Sequence, residues 1–470
     1  MNWLLMRFEI LVLLMVLFSL LWEIVIPPEK KRNIVPVVTF LFGFITLSGF
    51  FFMPSGELFG GHFYTDPLLC LMKNILNVAV FIVLLQSWSW LQKEENRDRI
   101  GEFYLLLFAT LAGMFFMISA RSFLMMYVGL ELASIPVAML AAYDRHNHYS
   151  AEAGIKYILM SALSSGILLF GLSFIYAVSG SMFFSAFPVM STPSSVALMG
   201  LVFFISGMGF KIAFVPFHFW APDVYQGAPV SVTSYLSTVS KGAAVFTLMI
   251  ALCRVFAGYA SLWQPLLYGI SIATMTIGNL FALRQQNLKR FLAFSSIAQA
   301  GFILLGLLGS HQTGMAAVIY FILIYVFTNL AAFGVVSLIS MVTAREEIDD
   351  YRGLYRTNPL LSLVMMLSMF SLAGIPPLAG FFAKFFLFSS AASKGYYILV
   401  LIAVLNATVS LYYYLRVVKA MFIDVSENPV AFFVSDLPSK IALGICVAGI
   451  FLAGFISRIY DYIVSVSMGL

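Results

Sequence analysis

Four ionisable residues stand inside long apolar runs where lipid would leave them unsolvated: Glu131, Lys211, Lys241 and Lys384. A charged side chain at the bilayer centre costs about 2.5–3.5 kcal/mol on insertion scales, so four unpaired ones would cost on the order of 10 kcal/mol. Pairing, hydration or loss of charge must offset that cost. Three lysines face one glutamate, so the carboxylate cannot neutralise every ammonium, and at least one lysine is expected to exchange its proton. The chemistry open to such a set is the movement of protons or other ions. A buried lysine also reads as a static ion-pair member or a snorkelling side chain. That plainer reading is preferred for Lys73, Lys156, Arg416 and Lys419, which lie nearer the ends of their apolar runs.

Neighbouring residues extend the set. Thr233, Ser237 and Lys241 recur at a spacing of four, with Ser234 and Thr238 one register over, so hydroxyls line the helix face that leads to the ammonium. Two readings stay open, a water chain held by the hydroxyls or hydroxyls bonded back to their own helix carbonyls. His218 follows Lys211 by two helical turns and reads either as a proton relay or as a structural histidine. His146 and His148 form an HxH beside Asp144 without a third convergent ligand, so no metal site is assigned. The three cysteines, Cys70, Cys253 and Cys446, lie in separate apolar segments with no CxxC spacing, which excludes an iron-sulfur, zinc or haem motif and leaves inert core residues. Gly207 and Gly209 begin a dinucleotide-like pattern, but Ile212 holds the third glycine position and close helix packing explains the pair. Walker A, GxSxG and HExxH motifs are absent, so no cofactor-binding residue is assigned.

The elements that carry these residues follow from composition. Of 470 residues, 61% are hydrophobic and 10% charged, which excludes a water-soluble core. Apolar runs of roughly 20 residues succeed one another, each long enough to cross the hydrocarbon as a helix. An all-α polytopic membrane protein of about fourteen spans results. They start near Trp3, Ile34, Pro67, Glu102, Ser122, Glu152, Val196, Pro229, Leu262, Leu288, Gly314, Asn358, Gly395 and Leu437. The first run, Trp3 to Ile26, lacks a cleavage pattern and reads as a retained helix. Loops after odd-numbered spans hold Lys30, Lys31, Arg32, Lys93, Arg97, Arg99, Arg145, Arg284, Lys289, Arg290, Arg345, Arg352 and Arg356, whereas loops after even-numbered spans hold little beyond Arg121, Arg254 and Lys394. Lysine and arginine concentrate on the cytoplasmic side, so both termini are expected outside. The net charge of +5 is scattered through these loops, a pattern that suits anionic lipid headgroups and not nucleic acid.

Two spans read as broken. The seventh holds Lys211 and then Pro216 in GFKIAFVPFHFWAPDVYQGAP; the twelfth holds Gly374, Pro376 and Pro377 and then Lys384 in SLAGIPPLAGFFAKFFLF. Proline inside a span removes a donor and frees carbonyls that need protein or water, so a water-lined cavity is expected at each break. Spans five apart run in opposite directions, which makes spans 4–8 and 9–13 an inverted repeat with the ion site near the midplane. The chain then divides into an N-terminal three-helix segment (1–100), a first repeat (101–260), a second, inverted repeat (261–425) and a C-terminal helix (426–470).

Four segments, YVGLELASIPVAML, KIAFVPFHFWAPDVYQGAPVSVTSYLSTVSKGAAVF, NLKRFLAFSSIAQAGF and AGIPPLAGFFAKFFLF, give the chain a resemblance over nearly its whole length. It resembles the antiporter-like membrane subunits of proton-pumping NADH:quinone oxidoreductase, respiratory complex I. The resemblance implies Glu131 as ion-pair partner of Lys211, Lys211 as switching proton carrier, Lys241 as connecting lysine and Lys384 as exit-side carrier. It implies a bacterial inner-membrane location, neighbouring membrane subunits, and a peripheral arm whose partner subunits hold FMN, iron-sulfur clusters, NADH and quinone. Lysine at 384, where a sister branch is expected to carry glutamate, selects the branch. Subunits of multi-subunit cation/proton antiporters share much of the pattern. On the residues alone, a stand-alone secondary transporter and a purely structural membrane subunit stay open as well.

Overall fold

The computed structural model describes residues 2–187 and 194–467. Lipid offers no partner to a backbone amide, so each apolar run closes its hydrogen bonds within a helix. The first part of the chain forms α1 (Trp3–Val25), α2 (Ile34–Ser48), α3 (Pro67–Leu91), α4 (Ile100–Ser119), α5 (Phe123–Ala141), α6 (His148–Ser179), α7 (Ser195–Ile212) and α8 (Trp220–Gly227). The second part forms α9 (Val230–Val255), α10 (Ala260–Ala282), α11 (Leu288–Leu308), α12 (His311–Thr343), α13 (Pro359–Ala373), α14 (Ala379–Ser393), α15 (Tyr397–Phe422), α16 (Leu437–Phe455) and α17 (Ser457–Ser467). Among the described residues, twelve helices are long and apolar enough to cross a membrane, and α2, α13 and α14 are shorter apolar helices.

Side-chain caps fix where several of them begin. Asp66, Ser122, Asn287 and Asp436 each accept from the amide three residues on, which satisfies a donor that the first turn leaves free. The sixth helix starts at His148 and not near Glu152, because Asn147 caps it by accepting from the Tyr149 amide. Between α2 and α3 the chain makes a small antiparallel hairpin, Gly56–Leu58 against Phe63–Thr65, too short to show an alternating pattern in sequence. The C-terminal region also differs from a single last helix. The backbone turns extended at Ile456, and α17 follows as a separate helix with polar Arg458, Asp461 and Ser465 on it, so it does not continue the span.

Burial ranks the helices. α11 is buried along its whole apolar length, α9 nearly so, and α3 and α12 for the most part, while α1, α6, α10, α15 and α16 keep large exposed apolar faces. An inner set therefore holds the polar residues and an outer ring faces lipid. Small residues let helices approach within each half. A Cβ on Gly113 of α4 would fall 2.7 Å from the Gly129 carbonyl oxygen of α5, and one on Gly278 of α10 would fall 2.7 Å from the Ala298 amide nitrogen of α11.

Candidate functional site

Lys211 sits in the last turn of α7, which stops because Ala213 turns left-handed (φ 63) and the chain then passes through a cis Val215–Pro216 bond to α8. Protein groups meet the polar atoms freed by this break. Trp220 Nε1 donates to the Phe210 carbonyl at 2.9 Å, and the Val215 amide donates to Thr274 Oγ1 of α10 at 3.1 Å. The Lys211 ammonium is buried and donates to the Tyr157 hydroxyl of α6 at 3.0 Å, with the Tyr157 ring 5.3 Å away. Glu131 of α5 interacts with it electrostatically, yet the two form no direct salt bridge, as a pair in contact would. The buried Oε1 of Glu131 has no hydrogen-bond partner, and Tyr127 lies one turn before it on the same helix. Tyrosine thus stands where the carboxylate was expected.

Lys241 follows a wide turn, Leu236–Ser240, in which α9 departs from the regular α-helical pattern, as helices often do at functional positions. Its ammonium is buried and donates to the Ser296 hydroxyl at 2.8 Å and the Ser296 carbonyl at 3.1 Å, both on α11. The hydroxyl groups of Tyr225 and Tyr325 lie beside Ser296. The hydroxyls leading to Lys241 take the second of the two readings open in sequence. Thr233 donates to the Tyr225 and Pro229 carbonyls, and Ser237 and Thr238 both donate to the Ser234 carbonyl. Ser237 also accepts from Asn329 Nδ2 of α12 at 2.8 Å. Their protons are committed to backbone, so they brace the helix and leave the ammonium to α11.

Lys384 lies on α14, just past the break at Gly374, Pro376 and Pro377, and its ammonium turns back to cap the end of α13. It donates to the Leu372 carbonyl at 2.7 Å and the Ala373 carbonyl at 3.1 Å, with the Phe302 ring 4.8 Å away. A cation at a helix C-terminus meets carbonyls that have no intrahelical partner and the negative end of the helix dipole. Beside it is a cavity of about 20 Å³ lined by Gln299, Tyr325, Thr328, Ser371 and Lys384 among others. That is room for about one water. A small cavity thus lies at the break of the twelfth span, and at the seventh span Trp220 and Thr274 meet two of the backbone groups at the break.

His218 is buried in the α7–α8 connection with Nδ1 lacking a partner, its ring tilted by 32° against that of Phe219 with centroids 4.4 Å apart. It is not bonded to Lys211. Among the described residues no group of three or more His, Cys, Asp or Glu converges as a metal site, and Cys70 and Cys446 are buried.

α11 carries what the sequence reading did not single out. Ser296 takes Lys241; Ser295 shares a 2.5 Å hydrogen bond with the Tyr414 hydroxyl of α15; Gln299 donates to Tyr414 at 3.1 Å and to the same Leu372 carbonyl that holds Lys384, at 3.2 Å. One buried helix thus reaches from the ligands of Lys241 to the ligands of Lys384. Ser295, Ser296 and Gln299 in an otherwise apolar helix were the available signal. A second omission is Glu9, whose carboxylate accepts from Lys73 at 2.5 Å with both side chains fully buried.

Residues 120–410, which contain all four central charges, match the family described as NADH:quinone oxidoreductase/Mrp antiporter, TM. The chain is 48% identical over 465 residues to the NADH-quinone oxidoreductase subunit N of Azobacteroides pseudotrichonymphae, covering 98% of this chain and 96% of that protein. It is 50% identical over 405 residues to the subunit N of Phocaeicola vulgatus, covering 86% of each. Its fold matches a chain in the structure of respiratory complex I from Thermus thermophilus with bound aureothin, at 30% identity and a TM-score of 0.79, over 95% of this chain and 98% of that one. With more than half of its sequence matched by the family and a relative 48% identical across nearly all of it, the chain belongs to the NADH:quinone oxidoreductase/Mrp antiporter family of membrane proteins.

Proposed function

We propose that the chain is a proton-translocating membrane subunit of an NADH:quinone oxidoreductase, of the subunit N type, moving protons along its buried lysines under the drive of redox chemistry in partner subunits. The observation that carries this reading is the set of three buried ammonium groups, the second and third linked through α11, with a single central carboxylate offset from the first. A set with more cations than anions is stable only if protons can leave it.

Each residue has a proposed part. Glu131 sets the electrostatic state of Lys211, and moving that carboxylate away removes the charge that favours the protonated amine. Lys211 is the switching carrier, with Tyr157 as its hydroxyl partner. Lys241 connects, held by Ser296 and handing its proton through water toward Lys384, which releases it by way of the small cavity. His218, placed in the break beside Pro216, serves as a side relay, while Thr233, Ser237 and Thr238 hold the connecting helix in register. Gly374, Pro376 and Pro377 open the α13 end so that Lys384 can reach its carbonyls.

The finer architecture belongs to the same proposal. The twelve long helices, α2, and α13 with α14 as one broken span together make fourteen. Spans 4–8 and 9–13 form inverted repeats, supported by the matching glycine contacts of α4 with α5 and of α10 with α11 and by one broken, lysine-bearing span in each half. Residues 1–100, 101–260, 261–425 and 426–470 are the corresponding segments. The Lys/Arg-rich side faces the cytoplasm of a bacterial cell and both termini face outward. Its partners are the neighbouring membrane subunits and, through them, a peripheral arm that holds FMN, iron-sulfur clusters, NADH and quinone.

The test is the purified complex in liposomes with Lys211→Ala. Loss of NADH-driven proton translocation with the complex still assembled is expected; pumping at the full ratio of protons to electrons would overturn the scheme. Ion transport by this chain alone, without NADH or partners, would favour a stand-alone transporter.

A further inference from the structure

An apolar groove of about 670 Å³ opens between α3, α12 and α16, with α17 at its mouth. Its volume lies in the range of small-molecule sites. Leu323 and Phe327 of α12 and Leu452 of α16 form apolar walls, and two polar groups interrupt them. Asn74 of α3 is 1% exposed, and neither its amide nitrogen nor its amide oxygen has a hydrogen-bond partner. A buried amide left this way is uncommon and asks for a partner from outside the chain. Arg458 of α17 is exposed at the rim and forms no ion pair among the described residues.

Depth narrows the chemistry. α3 begins next to the Asp66–Arg254 ion pair, 3.2 Å, which marks a polar boundary. Asn74 lies about 10 Å along the helix from Pro67. The polar headgroup zone of one leaflet is roughly 5–8 Å deep. Asn74 therefore sits a few ångströms inside the level where glycerol ester carbonyls meet hydrocarbon. We propose that the groove is a site for one anionic phospholipid, phosphatidylglycerol being the probe. An acyl chain lies against Leu323, Phe327 and Leu452, an ester carbonyl accepts from Asn74 Nδ2, and the phosphate pairs with Arg458. A single guanidinium with no carboxylate pair favours a net negative headgroup.

The experiment uses the intact purified complex in vesicles containing photoactivatable phosphatidylglycerol with a diazirine on its acyl chain, and maps the labelled peptides by mass spectrometry. Labelling is expected on α12 and α16 around Phe327 and Leu452. It should fall about fivefold in Arg458→Gln, and the matching phosphatidylcholine probe should label about fivefold less. Asn74→Leu, which fills the site with an apolar side chain of similar size, should lower labelling while assembly and NADH oxidation stay at the wild-type level. Equal labelling by both lipids and by both variants would reduce the groove to unselective bilayer contact and overturn the proposal. Absence of labelling in the complex would assign the groove to a neighbouring subunit, and displacement of the probe by a short-chain quinone would assign it to a quinone; either result also overturns it.

Discussion

Glu9 and Lys73 meet at 2.5 Å with neither side chain exposed, whereas Lys211 gives its hydrogen bond to Tyr157 and a buried oxygen of Glu131 is left without one. Both glutamate–lysine sets lie in the apolar part of the same chain. The first is closed, since the carboxylate and ammonium neutralise each other at contact distance, and the rings of Phe63 and Phe8 crowd the lysine. Breaking such a pair leaves an uncompensated buried charge, which costs about 3–5 kcal/mol. The second set is open: the lysine gives its hydrogen bond to a neutral hydroxyl and not to the carboxylate, which keeps one buried oxygen without a partner. A closed pair ties helices together, and an open pair can respond to a change in its surroundings.

Glu131→Gln should break the open set most severely, lowering NADH-driven proton uptake into liposomes about a hundredfold in a complex that still assembles. Glu9→Gln is the control that sharpens the contrast. It should lower the thermal stability of the complex by an amount consistent with about 3–5 kcal/mol while protons moved per electron in the surviving complex stay unchanged. If Glu9→Gln instead uncoupled an assembled complex, the division into closed and open pairs would fail. Tyr157→Phe keeps the ring and removes the hydroxyl, a hydrogen bond to a charged group, so translocation should drop about tenfold, read from the rate of liposome acidification. Ser296→Ala should cost about fivefold, because the Ser296 carbonyl still holds Lys241. Thr238→Val should change the rate by less than about twofold, since its hydroxyl only bonds the Ser234 carbonyl; a large loss there would restore a water chain along α9.

Much of this was legible in the sequence for physical reasons. Spans announce themselves because lipid demands unbroken apolar helices, and Pro216, Pro376 and Pro377 mark the breaks because proline cannot continue one. Lys211, Lys241 and Lys384 stand out because hydropathy penalises them. The residues that connect them do not. Ser295, Ser296 and Gln299 are mild enough to vanish in a helix of mean apolar character, and only burial of α11 from both sides turns them into ligands. Glu9 reads as a flank of the first span, and its partner is 64 residues away, a distance that no local pattern bridges. Lys211 gives its hydrogen bond to Tyr157 of α6 and not to Glu131, a choice of partner that depends on how the helices pack and is invisible in residue type.

Lys384 finally couples chemistry to architecture in a way that reaches past proton counting. Its ammonium completes the unfinished end of α13, so occupancy of that amine and the position of the half-helix share one free energy. Linkage is reciprocal. Any pull that displaces the end of α13 changes the affinity of the amine for its proton, and any change in occupancy is felt as a force on the backbone. A voltage across the membrane acts on the charge and, through it, on the helix, which makes this corner of the fold an electromechanical joint.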